Sequence, residues 1–343
     1  MRLILSGRWL GKSGFYEAEI ENINFYQSLK EIEKIPPMTF VIFSYQLSGE
    51  TLNLNIKNPN LPAIVIVKIK KLNKIIPKLA DTKIIFVDKA LKDGEFKAGI
   101  LKIKGLIKEG TVYQINLTNR FDFELHTPPI NLFFNFYKNQ PVPYAFFLDA
   151  EKFFIISGSM ELFLEKNGVL IKSKPIKGTA KSHNFLKNSI KDRAENLMIT
   201  DMMRNDLGRI SQFGSVRVTE LFKITRYKTL YQMHSTVEGN TDKSLIEIMK
   251  KTFPPASVTG APKRKAVEII DILEPHIREY YCGCGGLIKS ETEFTLSVLI
   301  RTAIGSKNTL SYYAGCGIVW DSIPERELKE LHLKIKAFYS SDL

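Results

Sequence analysis

The sequence has few of the residues that build disulfide frameworks, metal clusters or membrane spans. Its 343 residues include only three cysteines, five histidines and two tryptophans. The cysteine number is odd and glycine flanks each one, a pattern that does not favour a disulfide framework. No apolar run reaches the ~18 residues that span a bilayer, and the start MRLILSGRWL turns polar too soon for a signal peptide. These absences predict a cytoplasmic protein with no membrane partner.

The charge is basic but has no concentrated basic segment. Lys and Arg number 49 against 36 Asp and Glu, which gives a net charge of +13. The lysines are spread along the chain, as in KIKKLNK (68–74) and SLKEIEK (28–34). No zinc-finger spacing or aromatic RNA-binding signature accompanies them, so the pattern does not favour nucleic acid. A basic protein without such an arm is suited to anionic small molecules.

Strand and helix patterns alternate along the whole chain. β-branched and aromatic runs predict strands, and apolar residues at helical spacing, bounded by proline or glycine, predict helices. The predicted strands are 38–47, 61–69, 82–87, 112–121, 144–149, 153–157, 162–166, 294–304 and 309–319, and the predicted helices are 95–110, 189–209, 243–253, 261–275 and one that begins near Pro324. We expect an α+β fold: one large domain over 1–343, built of extended, mostly antiparallel sheets packed face to face with helices outside.

The last helix carries two faces. Its apolar stripe includes Leu331 and Ile335, while Glu327, Glu330 and Lys334 share a second face at spacings i, i+3 and i+7. Two carboxylates one turn apart can hold a hard divalent cation, and the lysine one turn further can hold an anion beside it. A solvated face with a Glu–Lys pair is the alternative reading.

Glu195 lies near the start of the helix predicted over 189–209. Leu197, Met198 and Met202 are expected to face the core, which puts Glu195 near the buried edge. A buried carboxylate must be paired, protonated or bound to a metal. The alternative to a metal is an ion pair with one of three arginines of this helix, Arg193, Arg204 or Arg209.

Lys177 stands in PIKGTAKS, between a proline and a Gly-Thr pair. A lysine held by a turn and removed from water can lose its proton and act as a nucleophile. Glu161 on an adjacent predicted strand could donate a proton to a leaving hydroxyl. The alternative for Lys177 is an ordinary surface lysine.

Other signals are weaker. The segment 257–260, in FPPASVTGAPK, precedes a helix and could offer backbone N–H groups to an anion. Arg301 stands late in an apolar predicted strand and needs an anionic partner such as a substrate carboxylate. Cys282 and Cys284 have no partner pair, so packing at a tight turn is favoured over metal binding.

Read together, these segments resemble the chorismate-utilising enzymes, which include anthranilate synthase large subunits, aminodeoxychorismate synthase component I, and isochorismate and salicylate synthases. Residues 111–343 carry the matching motifs, whereas 1–110 match only loosely. The matching blocks, in the family's order, are KDRAENLMITDMMRNDLGR, FPPASVTGAPKRKAVEIID, YCGCGG, LIRT and AGCGIVWDSIPERELKELHLK.

Three residues indicate which member the chain resembles. Lys177 looks like aminodeoxychorismate synthase, because anthranilate synthases usually carry alanine there. Gln114 replaces the lysine that activates water in isochorismate and salicylate synthases, and Gln232 replaces a histidine typical of anthranilate synthases. The resemblance implies synthesis of 4-amino-4-deoxychorismate for 4-aminobenzoate and folate, from chorismate and ammonia supplied by a glutamine amidotransferase subunit. The alternatives are anthranilate synthase component I, which forms anthranilate and pyruvate, and a scaffold without catalytic activity.

The resemblance also implies a role for individual residues. Lys177 would attack C2 of the chorismate ring while Glu161 protonates the departing C4 hydroxyl. Mg²⁺ would be held by three glutamates, Glu195, Glu327 and Glu330, with Asp192 nearby. The substrate would be contacted by six residues, Gly178, Thr179, Tyr281, Arg301, Gly315 and Lys334. One departure from the family pattern is Met160, which replaces a proline before Glu161.

Overall fold

A computed structural model describes residues 1–226, 231–336 and 338–339 of the chain. The strands are β1 Arg2–Gly7, β2 Phe15–Tyr26, β3 Thr39–Phe43, β4 Ile64–Ile75, β5 Ile84–Lys89, β6 Gln114–Leu125, β7 Tyr144–Asp149, β8 Phe154–Ser159, β9 Leu162–Asn167, β10 Leu170–Lys174, β11 Ile176–Ala180, β12 Arg217–Arg226, β13 Tyr231–Asn240, β14 Gly260–Ala261, β15 Cys284–Ile288, β16 Glu293–Val298, β17 Thr302–Ser306 and β18 Thr309–Ile318. The helices are α1 Leu47–Leu52, α2 Asp93–Lys108, α3 Pro129–Asn139, α4 His183–Asn188, α5 Ile190–Gly208, α6 Leu245–Thr252, α7 Lys263–Leu273 and α8 Pro324–Lys336.

The strands form one continuous sheet in which neighbouring strands are antiparallel. Its hydrogen-bonded order is β13, β10, β9, β16, β15, β3, β4, β2, β1, β7, β8, β17, β18 and β6. Strands β11 and β12 also pair with β13, and β5 and β14 pair with β6. In this order, the first seven strands, β13 to β4, form what we call the first wing, together with β11 and β12. The last seven strands, β2 to β6, form the second wing, together with β5 and β14.

The two wings pack against each other through aromatic side chains. Phe40 of the first wing meets Phe146 of the second with ring centroids 4.9 Å apart. Trp9, which is buried, packs edge-on against Phe40 and donates a hydrogen bond to the carbonyl oxygen of Ala145. Burial of such large apolar surfaces is the main stabilising contribution to the core. The predicted α+β fold with antiparallel sheets packed face to face is confirmed.

Two helices bring the predicted site residues to the sheet. Helix α5 packs on β11, β12 and β13 of the first wing, and α8 packs on β18 of the second. The apolar stripe of α8 is confirmed, because Leu331 and Ile335 are buried. For α5 the prediction is partly wrong: Leu197 is exposed, and the buried face carries Asn196, Ile199 and Met203 instead.

Three local predictions are corrected. The apolar run 294–304 is two strands, β16 and β17, separated by Arg301, whose φ of 52° lies in the left-handed region. The predicted strand 38–47 ends at Phe43, and α1 begins at Leu47. Lys177 lies within strand β11 rather than in a turn.

The structure can be compared with two expectations from the sequence, that the chain has no disulfide framework and no membrane-spanning segment. All three cysteines are free and buried, as the sequence predicts. Among the helices of the described residues, none combines the length and apolar character needed to cross a membrane.

Candidate active site

The candidate active site lies where the two wings approach each other around Lys177. Lys177 belongs to β11 of the first wing, and Gly317 belongs to β18 of the second. A Cβ atom on Gly317 would lie 3.4 Å from Lys177 Nζ and 2.6 Å from Gln114 Nε2. The missing side chain at Gly317 therefore makes room for both polar groups. Sequence reasoning recognised the glycine-rich strand but not this particular contact.

Lys177 is surrounded by carboxylates without being paired to one. Its ammonium makes no hydrogen bond or salt bridge of normal length to any residue that the structure describes. Its charge nevertheless acts on the pKa values of Glu161, Glu195 and Glu330. A half-buried amine that is near acids but free of short bonds remains available to react.

Glu161 lies in the short connection between β8 and β9, with 5% of its surface exposed. Burial raises the pKa of its carboxyl, while the Ser257 hydroxyl, the charge of Lys177 and the backbone N–H of Ile176 act in the opposite direction. That N–H donates to Oε1 over 3.5 Å. A carboxyl with a raised pKa keeps its proton to higher pH and can give it to a leaving group. The sequence assigned Ser257 only a backbone contribution, so its side-chain contribution is new.

The predicted acidic face of α8 forms a cluster with β18. Ligand atoms of Cys316, Glu327 and Glu330 lie within 4.8 Å of one another. Ser322 donates a hydrogen bond of 2.8 Å to Oε1 of buried Glu327. The charge of Lys334, whose Nζ is 2.7 Å from Glu330 Oε1, lowers the pKa of that carboxyl.

Lys334 also reaches the strand beside it. Its Nζ donates to the carbonyl oxygen of Gly315 over 2.6 Å. Burial would lower the pKa of Lys334, but the charge and hydrogen bond of Glu330 act in the opposite direction, and the pKa of Lys334 is raised. Lys334 is therefore held charged against β18, where a substrate anion could meet it.

Glu195 joins the acidic cluster through a residue that the sequence analysis missed. Lys191 Nζ lies 3.8 Å from Glu195 Oε1 and 3.6 Å from Glu327 Oε1. Burial raises the pKa of Glu195, and the charges of Lys177 and Lys191 act against that increase. The spacing of Lys191 and Glu195, one helical turn apart, was the available signal.

The arginines offered as alternative partners of Glu195 lie elsewhere. Arg204 bonds to Asp201 over 2.9 Å, and the guanidinium of Arg193 lies 4.8 Å from the ring centre of Phe222. Arg209 acts on the pKa of Asp206 rather than on that of Glu195. The predicted ion pair of Glu195 with one of these arginines is wrong, because the cation next to Glu195 is Lys191.

Arg301 is placed by its left-handed backbone rather than by a strand. Its guanidinium NH1 donates to the carbonyl oxygen of Lys334 over 2.7 Å. Tyr281 is buried, and its ring stacks on that of Tyr313 with centroids 5.3 Å apart. Arg301 thus contacts the helix that carries the acidic cluster, and Tyr281 packs on the strand that carries Gly315.

Gly178 and Thr179 follow Lys177 in β11 and lie against the start of α5. Gly178 has a φ of +87°, and a Cβ there would lie 2.9 Å from Cβ of Asp192. Thr179 is exposed and pairs in register with Gln232. The close approach at Gly178 requires glycine both for its φ and for space. A role for this segment in closing over a substrate stays a prediction.

Two buried glutamines present unpartnered carbonyl oxygens. Gln114 and Gln232 are 1% and 2% exposed, and Oε1 of each has no hydrogen-bond partner among the described residues. The Gln232 amide donates to the sulfur of Met160, next to Glu161. A buried acceptor without a partner is unfavourable unless a ligand or water satisfies it. A small hydrogen-bond donor such as ammonia fits this requirement.

The donor set of the acidic cluster suits a hard cation. Carboxylate oxygens are the protein ligands that Mg²⁺ prefers, and those of Glu327 and Glu330 lie within 4.8 Å of each other, whereas Glu195 lies outside that group. Burial raises the pKa of the Cys316 thiol to about 12, so the thiol stays protonated and adds little for such an ion. The residues present therefore fit Mg²⁺.

Known proteins match this chain closely. The family described as chorismate binding enzyme matches residues 16–340. Anthranilate synthase component 1 of Saccharolobus solfataricus is 32% identical over 271 residues, covering 76% of this chain and 64% of that protein. Aminodeoxychorismate synthase component 1 of Bacillus subtilis is 36% identical over 251 residues, covering 70% of this chain and 53% of that protein. The chain thus spans about half to two thirds of the length of these curated relatives.

Solved structures give the same picture of the fold. Anthranilate synthase component I of Streptococcus pneumoniae superposes with a TM-score of 0.77 and 22% identity, covering 98% of this chain and 90% of that chain. The menaquinone-specific isochorismate synthase of Escherichia coli has the same TM-score with 18% identity, covering 98% and 87%. At these identities the likeness establishes the fold.

Proposed function

This chain belongs to the family of chorismate binding enzymes, and we propose that it aminates chorismate to 4-amino-4-deoxychorismate. The observation that carries the proposal is Lys177, an amine without a short bond to the described residues, beside buried Glu161 and Gln114. The chain resembles curated aminodeoxychorismate synthases along most of its length. A lysine nucleophile, a carboxyl that retains its proton and an acceptor for ammonia are the groups that this reaction needs.

In the first step Lys177 and Glu161 act as a pair. The ε-amine nitrogen of Lys177 forms a bond to C2 of the ring, the two conjugated ring double bonds shift, and the C4–O bond breaks. Glu161 gives its proton to the departing C4 hydroxyl, which leaves as water. Burial raises the pKa of Glu161, which favours the protonated form that this step needs.

In the second step ammonia replaces the lysine. Ammonia forms a bond to C4, the two double bonds shift back, and the C2–N bond to Lys177 breaks, which regenerates the amine. A proton from the new C4 ammonium group returns to Glu161 and restores its carboxyl. The free carbonyl oxygen of Gln114 accepts a hydrogen bond from ammonia but cannot act as a base for water. Overall, the C4 hydroxyl is exchanged for an amine, and one water is released.

Charged residues around this centre bind the rest of chorismate. Arg301 and Lys334 offer positive groups to its carboxylates. Glu195, Glu327 and Glu330 would hold Mg²⁺. When bound, Mg²⁺ neutralises a substrate carboxylate and draws electron density from the ring.

We further propose the ammonia source and the setting. A glutamine amidotransferase subunit supplies ammonia to this chain, and the product serves 4-aminobenzoate and folate synthesis in the cytoplasm. A direct test is a titration of the purified chain with such a subunit, with glutamine in place of ammonium. Glutamine-dependent turnover that saturates at one subunit per chain supports the partner, and no gain on adding it contradicts it.

Anthranilate synthesis is the second candidate. It is favoured by the similarity to the Saccharolobus solfataricus relative, and it forms anthranilate and pyruvate without a lysine nucleophile. Gln232 in place of histidine and Lys177 in place of alanine argue for the first candidate.

The deciding experiment is product analysis with purified chain, chorismate, MgCl₂ and ammonium. The expected product is 4-amino-4-deoxychorismate without pyruvate. Formation of anthranilate with an equal amount of pyruvate would show that the chain has the second candidate activity, anthranilate synthesis. No turnover, with or without the amidotransferase, would support a scaffold instead.

A further inference from the structure

Lys191 occupies an unusual place in the acidic cluster. It is the second residue of α5, and its ammonium lies between a carboxylate of its own helix and one of α8. The side chains of Glu195 and Glu327 are 15% and 5% exposed, whereas that of Lys191 is 52% exposed. A half-exposed cation thus reaches two largely buried carboxylates.

The two contacts of Lys191 are long for ion pairs. Both Nζ–Oε1 separations, 3.8 Å and 3.6 Å, exceed the 2.7 Å between Lys334 and Glu330 in the same cluster. Charge-assisted hydrogen bonds are usually about 2.7–2.9 Å. Lys191 therefore neutralises Glu195 and Glu327 together without a tight bond to either one.

Buried carboxylates need this neutralisation when no other cation is present. Lys334 is engaged with Glu330 and with the carbonyl oxygen of Gly315, so it is not available to Glu195 or Glu327. A divalent ion bound by the same carboxylates would repel the nearby ammonium of Lys191. The long, half-exposed lysine stem can turn out to solvent and relieve that repulsion.

We infer that Lys191 is an exchangeable counter-ion: its ammonium neutralises Glu195 and Glu327 in the metal-free chain and leaves when Mg²⁺ binds. The inference rests on the metal site of the proposed function. It assigns to Lys191 a role in setting Mg²⁺ affinity, because the ion must displace a positive charge that the chain supplies itself.

The test is Mg²⁺ binding to the full chain by isothermal titration calorimetry, without chorismate. We expect Lys191→Met to bind Mg²⁺ about tenfold more tightly, because the ion no longer has to displace an ammonium from Glu195 and Glu327 in a partly solvated site. Lys191→Arg, which keeps the charge, should stay close to the wild type. Lys187→Met is the matched control, because it removes one charge from an exposed position on neighbouring α4.

Thermal unfolding gives a second readout. In EDTA, Lys191→Met should melt below the wild type, and added MgCl₂ should raise its Tm by more. Lys191→Gln repeats both measurements with a polar side chain, in case the methionine disturbs folding. If folded Lys191→Met and Lys191→Gln bind Mg²⁺ no more tightly than the wild type, the inference about Lys191 is overturned and the proposed function is not. If the wild type and both variants bind no Mg²⁺, the metal site and this inference fail together, while product analysis still tests amination separately.

Discussion

Two clusters of buried charge in this molecule are built in opposite ways. Behind the site, the guanidinium of Arg278 bonds to both carboxylate oxygens of Glu274, at 2.8 Å and 2.7 Å. It also donates to the carbonyl oxygens of Val258 and Asn116, at 2.9 Å and 2.7 Å. At the site, Lys177 makes no such bond to the described residues, and Lys191 makes only long contacts. Four short bonds therefore hold the guanidinium of Arg278, whereas the ammonium groups of Lys177 and Lys191 have none to the described residues.

The difference separates a structural role from a chemical one. Arg278 and Glu274 fix the strand that carries Asn116 to the segment that carries Val258, close to Gln114 and Ser257 of the site. A buried pair with all its hydrogen bonds made holds a conformation but offers no group to a ligand. Groups that are buried and unsatisfied are unfavourable for folding, so their presence around Lys177 points to binding and reaction.

The largest effect is expected when the reactive amine of Lys177 is removed. Lys177→Ala should reduce amination by about 10⁴-fold, the scale seen when a covalent mechanism loses its nucleophile. Its unfolding free energy should change little, because Lys177 makes no short bond to the described residues. The measurements are product formation and chemical denaturation. Lys181→Ala, an exposed lysine just beyond the same strand, is the control and should keep full activity.

The next largest effect is expected when the buried ion pair of Arg278 and Glu274 is broken. Arg278→Met leaves Glu274 buried without its partner and should lower the free energy of unfolding by about 3–5 kcal/mol. The double variant Arg278→Met/Glu274→Leu should recover part of that loss, because no buried charge remains unpaired. Urea denaturation measures both. A loss at Arg278 no greater than that of a surface arginine such as Arg217 would show that the network does not stabilise the fold.

The pH dependence of the activity tests the role of Glu161 as the proton donor. Its raised pKa means that it stays protonated above the usual carboxyl range, and activity should fall as pH rises through that pKa. Ser257→Ala removes a group that lowers this pKa, so the alkaline fall in kcat/KM should move to higher pH. A shift to lower pH, or none with a folded variant, would contradict this account of Glu161. Ser13→Ala, at an exposed position, is the control.

The smallest effect is expected when a side chain is added at Gly317, where the two wings approach each other. Gly317→Ala puts a methyl group 2.6 Å from Gln114 Nε2 and 3.4 Å from Lys177 Nζ, so the Gln114 amide must shift. We expect kcat/KM for ammonia to fall about tenfold, because displaced reacting groups lose catalytic alignment. Gly105→Ala in α2, where an added Cβ meets nothing within 4 Å, should leave the rate unchanged. Equal rates for both variants would remove Gly317 from the site.

Local spacing predicted the parts of the site that lie on one element. The faces of α8 follow from helical geometry, so Glu327, Glu330 and Lys334 could be grouped correctly. Lys191 was missed because one of its partners is on a different helix, which no local pattern reveals. Arg301 was assigned to a strand because its neighbours are apolar, and its left-handed φ has no signal in residue type. Leu197 was predicted to face the core because it is hydrophobic, but α5 buries Asn196 instead and leaves Leu197 exposed.

The most direct measurement is the mass of the protein during turnover. Chain mixed with chorismate and MgCl₂ but without ammonium, quenched in acid and digested, should carry chorismate less one water on the peptide that contains Lys177. Addition of ammonium before the quench should remove this adduct as 4-amino-4-deoxychorismate appears. Continued product formation by Lys177→Ala, or by wild-type chain whose Lys177 peptide stays unmodified throughout, would contradict the lysine mechanism.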